Sequence, residues 1–409
     1  MNEPQLEDLA RRFGTPLYVY DGAAFERQRR QLQGCLPPSF HLFFAVKANP
    51  LLAILTLFRR IGCGAEVASE GELRLALSAG FAPEDIIYTC PGKTRSGVEL
   101  AARSGVSCIT VESMDEAELI ESVAGAEGRR VSVAVRVNPT LPLSAAALKM
   151  SGVPSQFGID EEELGAAVEH MKARRGLKLA GLHVYSGTQV LSAEQLLFDA
   201  ERTLEMGVRL SREHGIEPSI VDIGGGFGVP YEDSEGDLDL RALKYGYLDL
   251  WRRYRERLGP ARVIVESGRF LTAESGVFIT QVLSTKTSRG TRFVICDGGY
   301  SHHPAPAYLG RFGRNRFPIA TVNPSGEMER VTVVGPSGTP VDILARDVLL
   351  DRVRPGDLLV IGKSGAYGYT NSCQLFFSGP SPAEVMVYGG DVQVLRQRGR
   401  LEDASVGAP

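Results

Sequence analysis

The chain reads as a parallel (β/α)8 barrel followed by a second, mostly β domain, and three observations predict this. Between Asp21 and Gly268, short apolar runs rich in β-branched and aromatic residues alternate eight times with amphipathic helical patterns. After Gly268 the helical periodicity gives way to β-type runs separated by turns. The ends of the eight strand candidates carry a lysine, a histidine, carboxylates and a glycine run, and strand ends are where barrels of this kind keep their functional groups.

Taken in order, the N-terminal stretch holds a short helix candidate and then Thr15 to Tyr20, which reads as a strand. The barrel strands are predicted at His41 to Lys47, Ala65 to Ser69, Asp85 to Cys90, Ser107 to Ser113, Arg130 to Asn138, Lys178 to Ser186, Ser219 to Gly226 and Arg262 to Gly268. Helical patterns lie between them, among others at Glu70 to Gly80, Asp115 to Gly125, Glu161 to Arg174, Ser192 to Gly215 and Leu243 to Gly259. A doubly wound open sheet is the rival arrangement, and the count of eight favours closure. Later strands are expected at Gly276 to Lys286, Thr291 to Cys296, Arg330 to Val334, Asp357 to Gly362 and Ala383 to Tyr388. The expected domains are residues 22–268 for the barrel, 1–21 with 269–398 for the β-rich domain, and 399–409 as a polar, mobile tail. The irregular stretch from Pro139 to Gln156 reads as a barrel-top loop able to act as a lid.

Composition narrows the function. With 409 residues, 43% hydrophobic and 23% charged, the chain is that of an ordinary globular protein. A formal net charge of -4 supplies no basic field for nucleic acid and no polybasic membrane patch. The polar, acidic N-terminus has no signal-peptide pattern and no apolar run is long enough to span a bilayer, so a cytoplasmic location is expected. The six cysteines, Cys35, Cys63, Cys90, Cys108, Cys296 and Cys373, form no C-x-x-C pair; neither a metal site nor a disulfide framework is expected.

Lys47 ends the first barrel strand, where partial desolvation would make its amine a nucleophile. The following strand ends give Glu66 with Ser69, Lys93, Glu112, Arg136, His183 with Ser186, Gly224 to Gly226, and Glu266 with Arg269. Consecutive glycines after the seventh strand let backbone N–H groups approach an anion, and the loops after strands seven and eight are the usual phosphate seat of a barrel. Glu266 beside that seat suits a pyridine nitrogen, which a carboxylate keeps protonated, while Arg269 adds charge for phosphate. His183 is placed as a flat partner stacked on the ring. Glu66, Ser69 and Arg136 line the same rim as cofactor contacts.

Seven motifs carry a resemblance across almost the entire chain. They are Phe44-Ala45-Val46-Lys47-Ala48-Asn49, Val67-Ala68-Ser69-Glu70-Gly71-Glu72-Leu73, His183-Val184-Tyr185-Ser186-Gly187, Asp222-Ile223-Gly224-Gly225-Gly226-Phe227-Gly228, Glu266-Ser267-Gly268-Arg269, Cys296-Asp297-Gly298-Gly299 and Gly365-Ala366-Tyr367. Together they resemble the fold-type III pyridoxal-phosphate decarboxylases, the family of diaminopimelate, ornithine and arginine decarboxylases. The resemblance implies pyridoxal 5'-phosphate bonded to Lys47 and stacked on His183, its phosphate held by Ser186, Gly224, Gly225, Gly226, Gly268, Arg269 and Tyr367, and its ring nitrogen paired with Glu266. It also implies a homodimer with shared active sites and the loss of an α-carboxylate as the reaction.

The chain departs from the family where a thiol is usual. The loop Gly335-Pro336-Ser337-Gly338-Thr339-Pro340-Val341-Asp342 has Gly338 at the cysteine position that donates the product's proton, with Asp342 at the acidic position. Water, His302, His303, Ser337, Thr339 and Cys373 are the candidate substitutes. Ala305 stands where diaminopimelate decarboxylases carry an arginine for the distal carboxylate, and Gln156 replaces a lysine, so diaminopimelate is not the expected substrate. Residues 149–158, 183–189, 225–231 and 298–303 look like the branch that includes the decarboxylase of butirosin biosynthesis, which acts on a glutamyl group tethered to an acyl carrier protein. That branch implies a biosynthetic substrate, free or carrier-linked. The alternatives are a racemase of the same fold, which Glu266 opposes because racemases weaken the electron sink with an arginine, and a catalytically silent regulator, which Gly338 favours.

Overall fold

The computed structural model describes residues 2–140, 148–149, 153–232, 234–304 and 317–400. Ala305, most of the loop expected between Pro139 and Gln156, and residues 401–409 of the expected tail lie outside them. The chain divides into two compact units, Arg29–Val229 with Gly236–Leu271, and Met1–Gln28 with Pro230–Glu235 and Thr272–Pro409. The divisions near residues 28 and 271 fall a few residues beyond those expected at 22 and 268, and the short excursion Pro230–Glu235 was not anticipated from the sequence.

In the first unit, eight parallel strands close on themselves. They are β2 (Phe40–Ala45), β3 (Gly64–Val67), β4 (Ile86–Tyr88), β5 (Cys108–Val111), β6 (Val131–Asn138), β7 (Leu177–His183), β8 (Ile220–Asp222) and β9 (Arg262–Ser267). Closure is made by β9 against β2, in the register Glu266 to Phe43 and Ser267 to Phe44. Phe43, Ile87, Cys108, Ala134, Ala180, Ile220 and Ile264, one residue from each of seven strands, form one buried cluster. Gly64 of β3 completes that packing by omission, since a Cβ there would lie 2.6 Å from the Phe43 ring. Phe44, the next residue, stacks on Phe58 of the helix Leu52–Arg60 with ring centroids 4.2 Å apart.

Several observed strands are shorter than the apolar runs suggest. β2 stops at Ala45 and hands over to a single 3-10 turn, Val46–Ala48, which carries Lys47. β8 stops at Asp222 because Gly224, at φ +65°, has left the extended region. Helices then start on side-chain caps. Ser69 Oγ accepts from Glu72 N, Ser113 Oγ from Glu116 N and Ser192 Oγ from Gln195 N, so three strand-to-helix turns are fixed by a serine and the residue three places on.

In the second unit, β1 (Leu17–Asp21) lies between β10 (Gly276–Ser288), to which it is antiparallel, and β16 (Ala383–Tyr388), to which it is parallel. β11 (Thr291–Cys296) pairs with β10 and with β13 (Met328–Val334), β14 (Ile343–Asp351) with β13, and β17 (Asp391–Arg396) with β16. β12 (Ile319–Thr321) pairs with β15 (Leu358–Ile361), which also pairs with β10. Leu6, Leu9, Leu17, Val19, Ile279 and Val385 share one core. Sequence reading passes over β12, β14 and β17. β12 has three residues, β17 is largely exposed, and β14 is broken by Asp347 at φ +53°, so none shows a long clean alternation.

Candidate active site

Parallel pairing sets neighbours at the strand ends. In the register of β2 and β3, Ala45 faces Glu66, which brings the turn after β2 beside the carboxylate. Lys47 Nζ donates to Glu66 Oε2 at 2.5 Å, and the second oxygen of Glu66 accepts from Thr89 Oγ1 at the end of β4. Glu66 is wholly buried while the Lys47 side chain is 38% exposed, so the amine is reachable and its counter-ion is not. The same amine lies 5.9 Å from the centre of the Tyr185 ring.

Opposite are His183, Asp222 and Glu266, from the ends of β7, β8 and β9, all buried, with side-chain ligand atoms within 4.8 Å of one another. His183 Nε2 lies 3.5 Å from Glu266 Oε1. Neither imidazole nitrogen, nor Glu266 Oε1, nor Asp222 Oδ2 has a hydrogen-bond partner among the described residues. Burial, then the charges of Asp222 and Glu66, push the Glu266 carboxyl well above the usual range, and burial lifts Asp222 to about 7. Both carboxyls are therefore held toward their protonated forms. His183 is held well below its ordinary value by burial, then by the positive charges of Arg136, Lys47 and Lys93, and is a neutral ring.

The glycine turn is built for close backbone approach. Gly224 N donates to Asp222 Oδ1 at 2.9 Å and Glu266 N to Gly224 O at 2.7 Å, tying the ends of β8 and β9 together. A Cβ on Gly225 would lie 1.8 Å from Glu266 O, and one on Gly226, at φ +91°, 2.3 Å from Gly187 O. A Cβ on Gly268 would meet that of Ala48 at 2.7 Å, next to the turn that carries Lys47. Side chains are excluded at all three places.

Two expected contacts also have structural partners. Ser69 Oγ accepts a helix-capping hydrogen bond from Glu72 N, and Arg136 forms a buried ion pair with Glu112 at 2.9 Å. Lys93 is held likewise by Glu116 at 3.0 Å. Ser186 is half-buried and Arg269 buried, on the same two strand ends as His183 and Glu266. Thr89 and the acid of Asp222 were not singled out from sequence. The register of β3 and β4 was the only signal for Thr89, and it is visible only once the barrel is closed.

Gly338, Asp342 and Tyr367 belong to the second unit. The Asp342 carboxylate accepts from Tyr300 N at 2.6 Å, from Ser337 N at 2.7 Å and from Ser337 Oγ, and so clamps its own loop. Tyr367 is half-buried at φ +56°. Two of the candidate substitutes for the family thiol are poor acids. His303 is fully buried, driven down to about 3 by burial and bonded to Ser364 Oγ at 3.0 Å, and burial also lowers His302. Cys373 is the exposed cysteine of the six, 3.4 Å from Tyr300 Oη.

A lysine amine, a buried neutral imidazole and two buried acids at the strand ends, with a glycine turn bare of side chains, suit a flat, phosphorylated, carbonyl-bearing cofactor. Residues 23–273 match the pyridoxal binding domain of the pyridoxal-dependent decarboxylases. The chain is 39% identical to the L-glutamyl-[BtrI acyl-carrier protein] decarboxylase of Niallia circulans, over 98% of this chain and 96% of that one. It is 34% identical to the diaminopimelate decarboxylase of Zymomonas mobilis, over 97% and 93%. The crystal structure of the diaminopimelate decarboxylase from M. jannaschi superposes with a TM-score of 0.91 at 26% identity, covering 98% of this chain and 94% of that one. The chain belongs to the pyridoxal-dependent decarboxylases, and its cofactor is pyridoxal phosphate. The residues present fit that group. Orphaned buried atoms on His183 and Glu266 suit a ring, and the turn Gly224 to Gly226 is backbone without side chains, as an anion seat requires. Among the described residues, no helix is long and apolar enough to cross a membrane.

Proposed function

We propose that the protein removes the α-carboxylate of an amino-acyl group, a glutamyl group foremost, carried on a carrier protein through its side-chain carboxyl. The α-carboxylate has to stay free to leave, so a glutamyl thioester must use the other carboxyl. Such a substrate offers no distal charge. That fits Ala305 and Gln156, which stand where diaminopimelate decarboxylases carry an arginine and a lysine, while Gly338, with no side-chain proton to give, leaves protonation of the product carbon to water or another group. The relative with carrier-linked glutamyl in its name supports the same reading.

The observation that carries the chemistry is the unpartnered pair His183 and Glu266 facing Lys47. Bound pyridoxal phosphate supplies a carbonyl carbon for Lys47 and a ring that accepts the electron pair left by the departing carboxylate. Lys47 would hold the cofactor through its amine, with Glu66 as the partner of that amine when it is free of cofactor. His183, neutral and flat, supports the ring face. Glu266 keeps a proton at the ring nitrogen, and Asp222 keeps Glu266 in place. Ser186, Gly224, Gly225, Gly226, Gly268 and Arg269 would hold the phosphate. Glu66 fixes the lysine, Arg136 orders the rim through Glu112, and Asp342 shapes the loop of Gly338. The working form in this reading is a cytoplasmic homodimer with shared sites, in keeping with six unpaired cysteines.

The test is to load the purified protein with pyridoxal phosphate and offer glutamyl carrier protein, free glutamate and diaminopimelate, following carboxyl loss by mass spectrometry. Turnover of the carrier-linked group well above the free acids is expected. Equal or faster turnover of a free amino acid would remove the carrier, and scrambled chirality in recovered substrate would favour a racemase.

A further inference from the structure

Thr89 takes no part in the chemistry described above, yet it touches the group that governs Lys47. It follows β4 directly, is 4% exposed, and is fixed by its own N–H donating to Val67 O at 2.9 Å. Its hydroxyl donates to Glu66 Oε1, and Glu66 Oε2 accepts from Lys47 Nζ at 2.5 Å. Both oxygens of a wholly buried carboxylate are thus committed, one to a neutral anchor and one to the reactive amine. A carboxylate with a single partner would be free to swing about its side-chain bonds or to take up a proton. With two it presents a fixed negative charge to Nζ.

Several other ionisable groups feel the charge of Lys47. Glu72, on the helix after β3, feels Lys47, but its Oε2 is engaged by Ala68 N at 2.7 Å and burial lifts it to about 7. Asp222 and Glu266, from β8 and β9, are held toward their protonated forms by burial, and His183, from β7, is neutral. Tyr185 offers a ring face. Lys93 and Arg136 are matched by Glu116 and Glu112. Among the described groups, Glu66 is the carboxylate in contact with the amine.

We propose that Thr89 is a positioning residue that sets the charge and direction of the Lys47 amine by anchoring Glu66. This rests on the reading that Lys47 is the lysine bonded to the cofactor. Thr89→Val keeps the shape and removes the donor, and Thr89→Ser restores the donor without the methyl.

The first readout needs no cofactor. Trace acetylation of the cofactor-free protein across a pH series, quantified at Lys47 by mass spectrometry, should show the midpoint of reactivity about one pH unit lower in Thr89→Val, which is a tenfold change in the ammonium-to-amine ratio. Thr89→Ser should match the unaltered protein. In the cofactor-loaded enzyme, kcat should fall about tenfold in Thr89→Val with KM unchanged, and recover in Thr89→Ser. A valine variant indistinguishable from the unaltered protein at both readouts would overturn the proposal, as would a serine variant as impaired as the valine one. Should the valine variant not fold, Thr89→Ala against Thr89→Ser gives the same contrast. A Lys47→Ala protein that keeps the absorbance of lysine-bound cofactor would sink the underlying reading while leaving the acetylation result standing.

Discussion

His183 Nε2 and Glu266 Oε1 face each other at 3.5 Å in the barrel mouth, both residues almost wholly buried, and neither atom has a hydrogen-bond partner among the described residues. Leaving such atoms unpaired is costly, roughly 1–3 kcal/mol for each buried group. The arrangement is explained by a ring that completes it. Replacing Glu266 with glutamine preserves size and hydrogen bonding but removes the negative charge that holds a proton on a ring nitrogen. Turnover in Glu266→Gln should drop by about a hundredfold or more, with cofactor still bound. Steady-state kinetics beside cofactor content checks this, and full turnover would take Glu266 out of its role.

In the proposed reading Lys47 is the amine that meets the cofactor. Lys47→Ala should lose the absorbance of lysine-bound pyridoxal phosphate and all decarboxylation. The fold should persist, because the side chain is partly exposed and packs in no core cluster. An absorbance spectrum and a thermal melt decide it. Unchanged absorbance would point to another lysine.

Gly225 tests the cradle. Its added Cβ would meet Glu266 O, a backbone atom that cannot turn aside, at 1.8 Å. Gly225→Ala should therefore destabilise the protein by roughly 1–3 kcal/mol and weaken cofactor binding. Denaturant titration and cofactor titration measure the two effects. A variant matching the original in both would show that the turn is not packed as described.

The acid pair makes the cofactor-free protein sensitive to pH. Folded Asp222 keeps its proton up to about 7, whereas an unfolded aspartate releases it near 4, so the native state binds more protons in that window. Its contribution to stability therefore falls as pH rises from about 4 to about 7. His183 and His303, buried and neutral, act oppositely, because the unfolded chain takes up their protons as pH falls below about 6.5. Comparing two proteins removes the histidines. The melting temperature of Asp222→Asn minus that of the unaltered protein should rise from pH 4 to pH 7, and a flat or falling difference contradicts the raised Asp222 carboxyl.

Strand-to-helix alternation and the residues at strand ends made the barrel legible, and with it Lys47, His183, the glycine turn and Glu266. Each lies in a short local motif whose residue types fit one chemistry. What could not be read were contacts between motifs. Glu66 meets Lys47 only because β2 and β3 pair with Ala45 opposite Glu66, and Thr89 reaches Glu66 only because β4 follows β3 around the barrel. The capping role of Ser69 was not read either, because a serine at a strand end and a serine capping a helix look alike in sequence. His302 and His303 suggested accessible acids, since two adjacent histidines read as polar surface, and the second unit buries both.

The account stands or falls on carboxyl loss from a carrier-linked amino-acyl group. The direct measurement incubates the cofactor-loaded protein with glutamyl carrier protein labelled at the α-carboxyl and counts the carbon dioxide released. Release that requires pyridoxal phosphate and disappears in Lys47→Ala is predicted. Label that stays on the carrier protein, while free amino acids lose theirs at equal or greater rates, would contradict it.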